Sequence, residues 1–140
     1  LRMVEGDLKN VAVEPVATVL TYKVPADYGG YSTVYPSNVN QSEVNTPVDL
    51  SKAEALSKKY GGNIRVYPGS MEVRGGKNYA LKSRAVGVLG IADSIEEARQ
   101  ISLEATQAIT GGALWSRKDI AAKKHIAKSI SHMEKLRGNL

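Results

Sequence analysis

The sequence predicts an α+β domain built on an antiparallel sheet, and three observations carry that prediction. β-branched, partly alternating runs lie on either side of an Arg-Gly-Gly-Lys turn, which is the mark of a hairpin. Two stretches with helical apolar spacing follow the last of those runs. Paired glycines (Gly29-Gly30, Gly61-Gly62, Gly75-Gly76 and Gly111-Gly112) separate the patterned segments. A strand, a hairpin and then helices is the order of an α+β fold rather than of a parallel α/β one. At 140 residues the chain reads as one domain, 1–140, long enough for a core without staples.

The first strand is expected within Val11–Val24, whose Ala17–Val24 part is β-branched and alternating. A polar loop rich in Tyr, Ser, Asn and Pro covers Tyr28–Gln41. A short helix follows over Leu50–Tyr60. Ser51 and Glu54 have the spacing of a capping box, and Gly61 stands where a left-handed C-terminal residue is favoured. Asn63–Val73 and Asn78–Ile91 read as two long strands joined through Arg74–Lys77, with Gly87 and Gly90 marking a bulge or a close backbone approach.

The clearest helix is Asp93–Ile109. Ser94 and Glu97 form a capping box, Glu96 and Glu97 complement the helix dipole, and Ile95, Ala98, Ile101, Ala105 and Ile109 recur at helical spacing. Trp115 then introduces a basic helix with Asp119 as its expected N-cap and Gly138 at its end. Ile126, Ile130 and Met133 form its apolar stripe. If that stripe is buried, Ile130→Ala costs about 2–4 kcal/mol.

Composition narrows the function. With no cysteine, disulfides, thiolate metal sites and a cysteine nucleophile are excluded, and a cytoplasmic protein fits best. No apolar run approaches the length of a membrane helix. The opening Leu1-Arg2-Met3-Val4-Glu5 lacks the apolar core of a signal peptide and an initiator methionine, so a start inside a longer polypeptide is expected. The net charge of +5 sits entirely at the end, in Arg117, Lys118, Lys123, Lys124, Lys128, Lys135 and Arg137 against Asp119 and Glu134. Such a helix is either a solvated or acid-facing surface, or part of a free-standing module that binds nucleic acid or another anionic partner.

A self-contained catalytic site is not apparent. No phosphate loop and no dinucleotide fingerprint occur. His125 and His132 lie two helical turns apart, roughly 10.5 Å along the axis, too far to share a metal ion. Tyr28, Tyr31 and Tyr35 crowd the first loop, where they could stack on a base or sugar or brace the loop. Arg84 is either a planar, bidentate phosphate partner or an ordinary solvent-facing cation.

Three landmarks carry a resemblance. Ser83-Arg84-Ala85-Val86-Gly87-Val88-Leu89-Gly90-Ile91-Ala92-Asp93-Ser94-Ile95-Glu96-Glu97-Ala98 is similar to a stretch that runs Gly-Gly-Arg-Val-Leu-Gly-Val, then Asp-Thr-Leu-Glu-Glu-Ala. Arg117-Lys118-Asp119-Ile120-Ala121 resembles Arg-x-Asp-Ile-Gly, and Ala17–Tyr31 resembles an alanine-rich strand leading to Gly-Tyr-Pro-Gly. All three patterns resemble those of the phosphoribosylamine–glycine ligase (glycinamide ribonucleotide synthetase) family of ATP-grasp enzymes. The chain departs from them at Lys82-Ser83, which replace the glycine pair, at the absent proline and at Ala121. The insertion-like stretch Ser32–Lys58 matches none of these landmarks.

The resemblance implies the C-terminal domain of a longer ligase of purine biosynthesis, with the ATP-grasp core outside this chain. It implies a half-barrel antiparallel β-structure (the rudimentary hybrid motif) with two to three helices, related to the C-terminal domain of biotin carboxylase. The complete enzyme would join phosphoribosylamine to glycine through a glycyl phosphate, consuming ATP. ATP and Mg (or Mn) would be held by that core, with none in this segment, and the segment alone would be inactive. The N-terminal and ATP-grasp domains of the same polypeptide are then its partners, and phosphoribosylamine the ligand it lines, without nucleic acid or membrane. The motif match points to Arg84 first, then Arg117 and Asp119, with Gly29 and Gly30 as loop candidates.

Overall fold

The computed structural model describes residue 6, residues 12–26, residue 28 and residues 39–138. Five strands and three α-helices follow one another as β1 (Ala17–Lys23), α1 (Ser51–Lys59), β2 (Ile64–Pro68), β3 (Met71–Arg74), β4 (Lys77–Ala80), β5 (Val86–Ala92), α2 (Ile95–Ala108) and α3 (Lys123–Gly138). All strand pairs are antiparallel. One sheet has the order β1-β5-β2 and the other is the β3-β4 hairpin. The expected α+β class holds, and neither sheet closes into a barrel among the described residues.

Local signals explain the element ends. α1 finishes in a Schellman motif: Gly62 N–H donates to Ser57 O at 3.1 Å and Gly61 N–H to Lys58 O at 3.2 Å. Its start differs from the expected capping box. Leu50 is the N-cap residue and is buried in the core, and Asp49 Oδ1 accepts from Ser51 N–H at 2.9 Å, so the cap comes from Asp49. Hydrogen bonding from the Ser51 side chain, and then from its backbone N–H, holds the Asp49 carboxyl below the usual carboxylate range. At α2 the expected cap is present, with Ser94 Oγ accepting from Glu97 N–H at 3.3 Å. The β3-β4 turn pairs Arg74 with Lys77 across Gly75 and Gly76, at φ of 54° and 73°, the doubly left-handed turn a two-residue hairpin favours.

The two long strand runs are not continuous. Pro68 pairs with Val86 and Met71 with Ala80, so Gly69 and Ser70 stand opposite five residues, Leu81–Ala85. A proline has no N–H for a ladder, and the unequal lengths eject the longer side. The bulge therefore lies at Leu81–Ala85. Gly87 and Gly90 sit in regular ladder positions.

The core lies between the three-stranded sheet, α1 and α2, with Ile64, Val86, Val88, Ala105 and Ile109 fully or almost fully buried. β5 is buried along most of its length because β1 and β2 flank it and α2 crosses it. Gly90 is where the helix comes closest: a Cβ there would meet Ala98 O at 2.1 Å. Against it α2 presents small residues, Ala98, Ser102, Ala105 and Thr106. The Ser102 hydroxyl lies 2.9 Å from both Thr21 Oγ1 and Val88 O, so the buried polar atoms on this face are partnered. Ile95, expected on the buried face, is exposed at the first turn. At the other end Lys23 Nζ donates to Ile109 O, a cation on the last carbonyls of α2. Burial pushes the Lys23 pKa down, with Glu43 opposing.

The basic helix overturns two expectations. α3 begins at Lys123, and Asp119 turns its carboxylate to Arg117 instead of capping it. No residue of α3 is buried; Ile130 is 53% exposed and Met133 46%. The stripe has no partner element against it among the described residues, so the cavity cost expected for Ile130→Ala does not apply.

Candidate substrate-lining site

A cavity of about 300 Å³ opens beside the face of the sheet opposite α2. Strand alternation builds its floor. Val19 and Thr21 of β1 are buried under α2, so Leu20 and Tyr22 project to the other side. Tyr22 pairs with Gly87 in the neighbouring strand, and a Cβ on Gly87 would stand 3.0 Å from Tyr22 Cε1. The glycine thus leaves room for the ring. Val24 continues the wall by exchanging two 2.9 Å backbone hydrogen bonds with Trp115, whose indole Nε1 donates to Pro25 O at 3.3 Å.

The bulge before β5 delivers Arg84. Its carbonyl is held by Ser70 N–H at 2.8 Å, while its side chain reaches over the cavity. The guanidinium lies 5.3 Å from the Tyr22 ring centre and 5.9 Å from that of Tyr28, and its Nε donates to Tyr28 Oη at 2.9 Å. Two rings and one hydroxyl fix the plane of the fork. Among the described residues, no carboxylate pairs with Arg84, and its one side-chain hydrogen bond is the one from Nε to Tyr28.

Arg117 lines the same cavity from the segment before α3. Asp119 grips it at both ends, Nε to Oδ1 at 2.9 Å and Nη2 to Oδ2 at 2.6 Å. The hydrogen bond from Arg117 holds the Asp119 carboxyl below its ordinary range, against a small opposing effect of burial. Asp119 orients Arg117 and does not itself line the cavity.

Arg84 and Arg117, 33 positions apart in sequence, therefore share one cavity. Gly29 and Gly30 lie outside the described residues, as do Tyr31 and Tyr35. Sequence reasoning missed Leu20, Tyr22, Val24, Trp115 and Ile120 as lining residues. Tyr22 had a usable signal, since it falls on the outward phase of an alternating strand.

Over 138 residues and 97% of its length, the chain is 35% identical to a phosphoribosylamine–glycine ligase of Methanosarcina barkeri. It is 39% identical over 137 residues, 96% of its length, to the ligase of that name from Methanocaldococcus jannaschii. The ligase of Thermococcus kodakarensis matches at 33% over 137 residues and 97%. Over nearly its whole length, then, the chain is similar to phosphoribosylamine–glycine ligases. It spans little more than a quarter of these relatives, 28%, 28% and 27% of their lengths respectively. No family model matches it.

Ala121 stands where the Arg-x-Asp-Ile-Gly pattern has glycine, and its φ is 55°. That is a left-handed conformation, in which glycine is at ease and alanine is strained, so the pattern's glycine answers to the backbone path that carries Arg117 and Asp119. Among the described residues no three His, Asp or Glu side chains converge. Likewise, no described helix is long and apolar enough to cross a membrane.

Proposed function

We propose that this chain is the C-terminal domain of a phosphoribosylamine–glycine ligase, and that its cavity lines the phosphoribosylamine site. The complete enzyme joins ATP, 5-phosphoribosylamine and glycine to give glycinamide ribonucleotide, ADP and phosphate in purine biosynthesis, in the cytoplasm. ATP and its metal ion belong to the ATP-grasp core of the longer polypeptide, and no step of theirs is assigned to residues here. The N-terminal and ATP-grasp domains are this domain's partners.

One observation carries the reading: a guanidinium with an open edge, braced by Tyr22 and Tyr28, beside a second guanidinium in one cavity. A fork of that kind meets two oxygens of a 5′-phosphate at once. Asp119 keeps Arg117 in place and cancels most of its charge, leaving Arg84 as the principal phosphate partner. Arg84 also binds without being part of the core, since it is exposed on a bulge. The reading of α3 as a nucleic-acid arm rests on its charge alone, because Lys123–Gly138 contains no Phe, Tyr or Trp to stack on bases.

The test is Arg84→Ala in the full-length ligase that carries this segment. Hydrogen bonds to charged groups contribute about 1.5–3 kcal/mol each, so kcat/KM for phosphoribosylamine should fall roughly 10- to 150-fold. A contact equally strong in ground and transition states puts the loss in KM. The KM for ATP should not move, melting should be unchanged, and Arg84→Lys should recover only part. A fully active alanine variant, or one inactive merely through unfolding, would sink the assignment.

A further inference from the structure

The phosphoribosyl reading accounts for the two arginines and leaves most of the cavity wall unexplained. Phosphoribosylamine is a hydroxylated sugar with a phosphate and an amine, and has no flat apolar group to bury. Yet Leu20, Val24 and Ile120 line the cavity together with the rings of Tyr22, Tyr28 and Trp115. Tyr22 and Tyr28 are engaged with Arg84. Trp115 has its indole N–H satisfied by Pro25 O, and its ring and the aliphatic groups beside it have no such task.

From this we infer that the same cavity binds purine nucleoside 5′-monophosphates, in competition with phosphoribosylamine. The inference rests on the phosphoribosyl reading, since the ribose 5-phosphate part of both ligands would occupy the same place. The base is what differs: a flat heterocycle meets the Trp115 ring and the apolar floor, and a purine offers a larger stacking face than a pyrimidine. Charge selects a monophosphate. Asp119 pairs with Arg117, so the rim carries about one uncompensated cation, Arg84, enough for one phosphate and short of a triphosphate's need. The consequence is a ligase whose sugar-phosphate site senses the class of compound its pathway yields.

Trp115 is the only tryptophan in the sequence and lines the cavity, so its fluorescence reports occupancy without a label. The 140-residue chain is titrated at low salt with AMP, UMP, ribose 5-phosphate and inorganic phosphate, with calorimetry as a second readout. AMP should bind roughly 5- to 150-fold more tightly than ribose 5-phosphate, the range expected for one stacked base, with UMP in between. Arg84→Ala should weaken AMP and ribose 5-phosphate by the same factor. Trp115→Leu, followed by calorimetry, should erase the preference for AMP and leave ribose 5-phosphate binding in place. AMP binding no tighter than ribose 5-phosphate overturns the inference and leaves the phosphoribosyl reading standing. Binding of neither, or of nothing beyond inorganic phosphate, overturns both. Should Trp115→Leu fail to fold, the comparison of ligands on the unaltered chain still decides.

Discussion

α2 and α3 are two helices of similar length and comparable apolar periodicity, and they end in opposite environments. α2 lies across β5 and β1, with Ala98, Ser102, Leu103, Ala105 and Thr106 buried. α3 buries nothing, although Ile130, Met133 and Leu136 are larger and more apolar than most of those residues. What decides burial is a matching surface. The small residues of α2 fit the place where β5 carries Gly90, and the polar ones among them hydrogen-bond inward. An apolar stripe states that a face can be buried; it does not supply the partner. A helix of 16 residues without tertiary packing is marginal in water, so α3 draws little stability from its own propensity.

That contrast can be tested in order of effect. The largest should come from the layer α2 covers: Ile64→Ala, at a fully buried core position, should cost about 2–5 kcal/mol in chemical denaturation. A cost below 1 kcal/mol would mean that the sheet and its helices are not packed as described. Next is Gly90→Ala. The added Cβ would meet the Ala98 carbonyl, a backbone atom of the helix, and α2 must move away. About 1–3 kcal/mol is expected, as for other overpacked sites, with melting as the measure. Wild-type melting there would show that α2 sits further from β5. The smallest effect belongs to α3. Ile130→Ala should stay within about 0.5 kcal/mol of the parent chain, since the side chain is half exposed and alanine favours the helix. A loss as large as that of Ile64→Ala would reveal a partner surface on α3.

The same contrast separates what was legible in the residues from what was not. Ser94 before α2, Gly61-Gly62 after α1 and Gly75-Gly76 in the hairpin all act as their types predict. At Ser51 the prediction failed, because Leu50 is anchored in the core and the cap shifts to Asp49. The motif resemblance pointed at Arg84 and Arg117, and both line one cavity; nothing local pointed to Trp115, which reaches it through a backbone bridge to Val24.

By itself, then, the sequence determined the start of α2, the end of α1 and the hairpin turn, because such caps, turns and left-handed glycines depend on hydrogen bonds and torsions within a few residues. It also carried the likeness to phosphoribosylamine–glycine ligases, through motifs spread along the chain. Tertiary structure alone decided that two strand runs break into four strands, and that the bulge between β4 and β5 displays Arg84. It decided too that α2 is covered and α3 is not. Those outcomes depend on which distant surfaces meet, and the free energy of that meeting resides in no single segment.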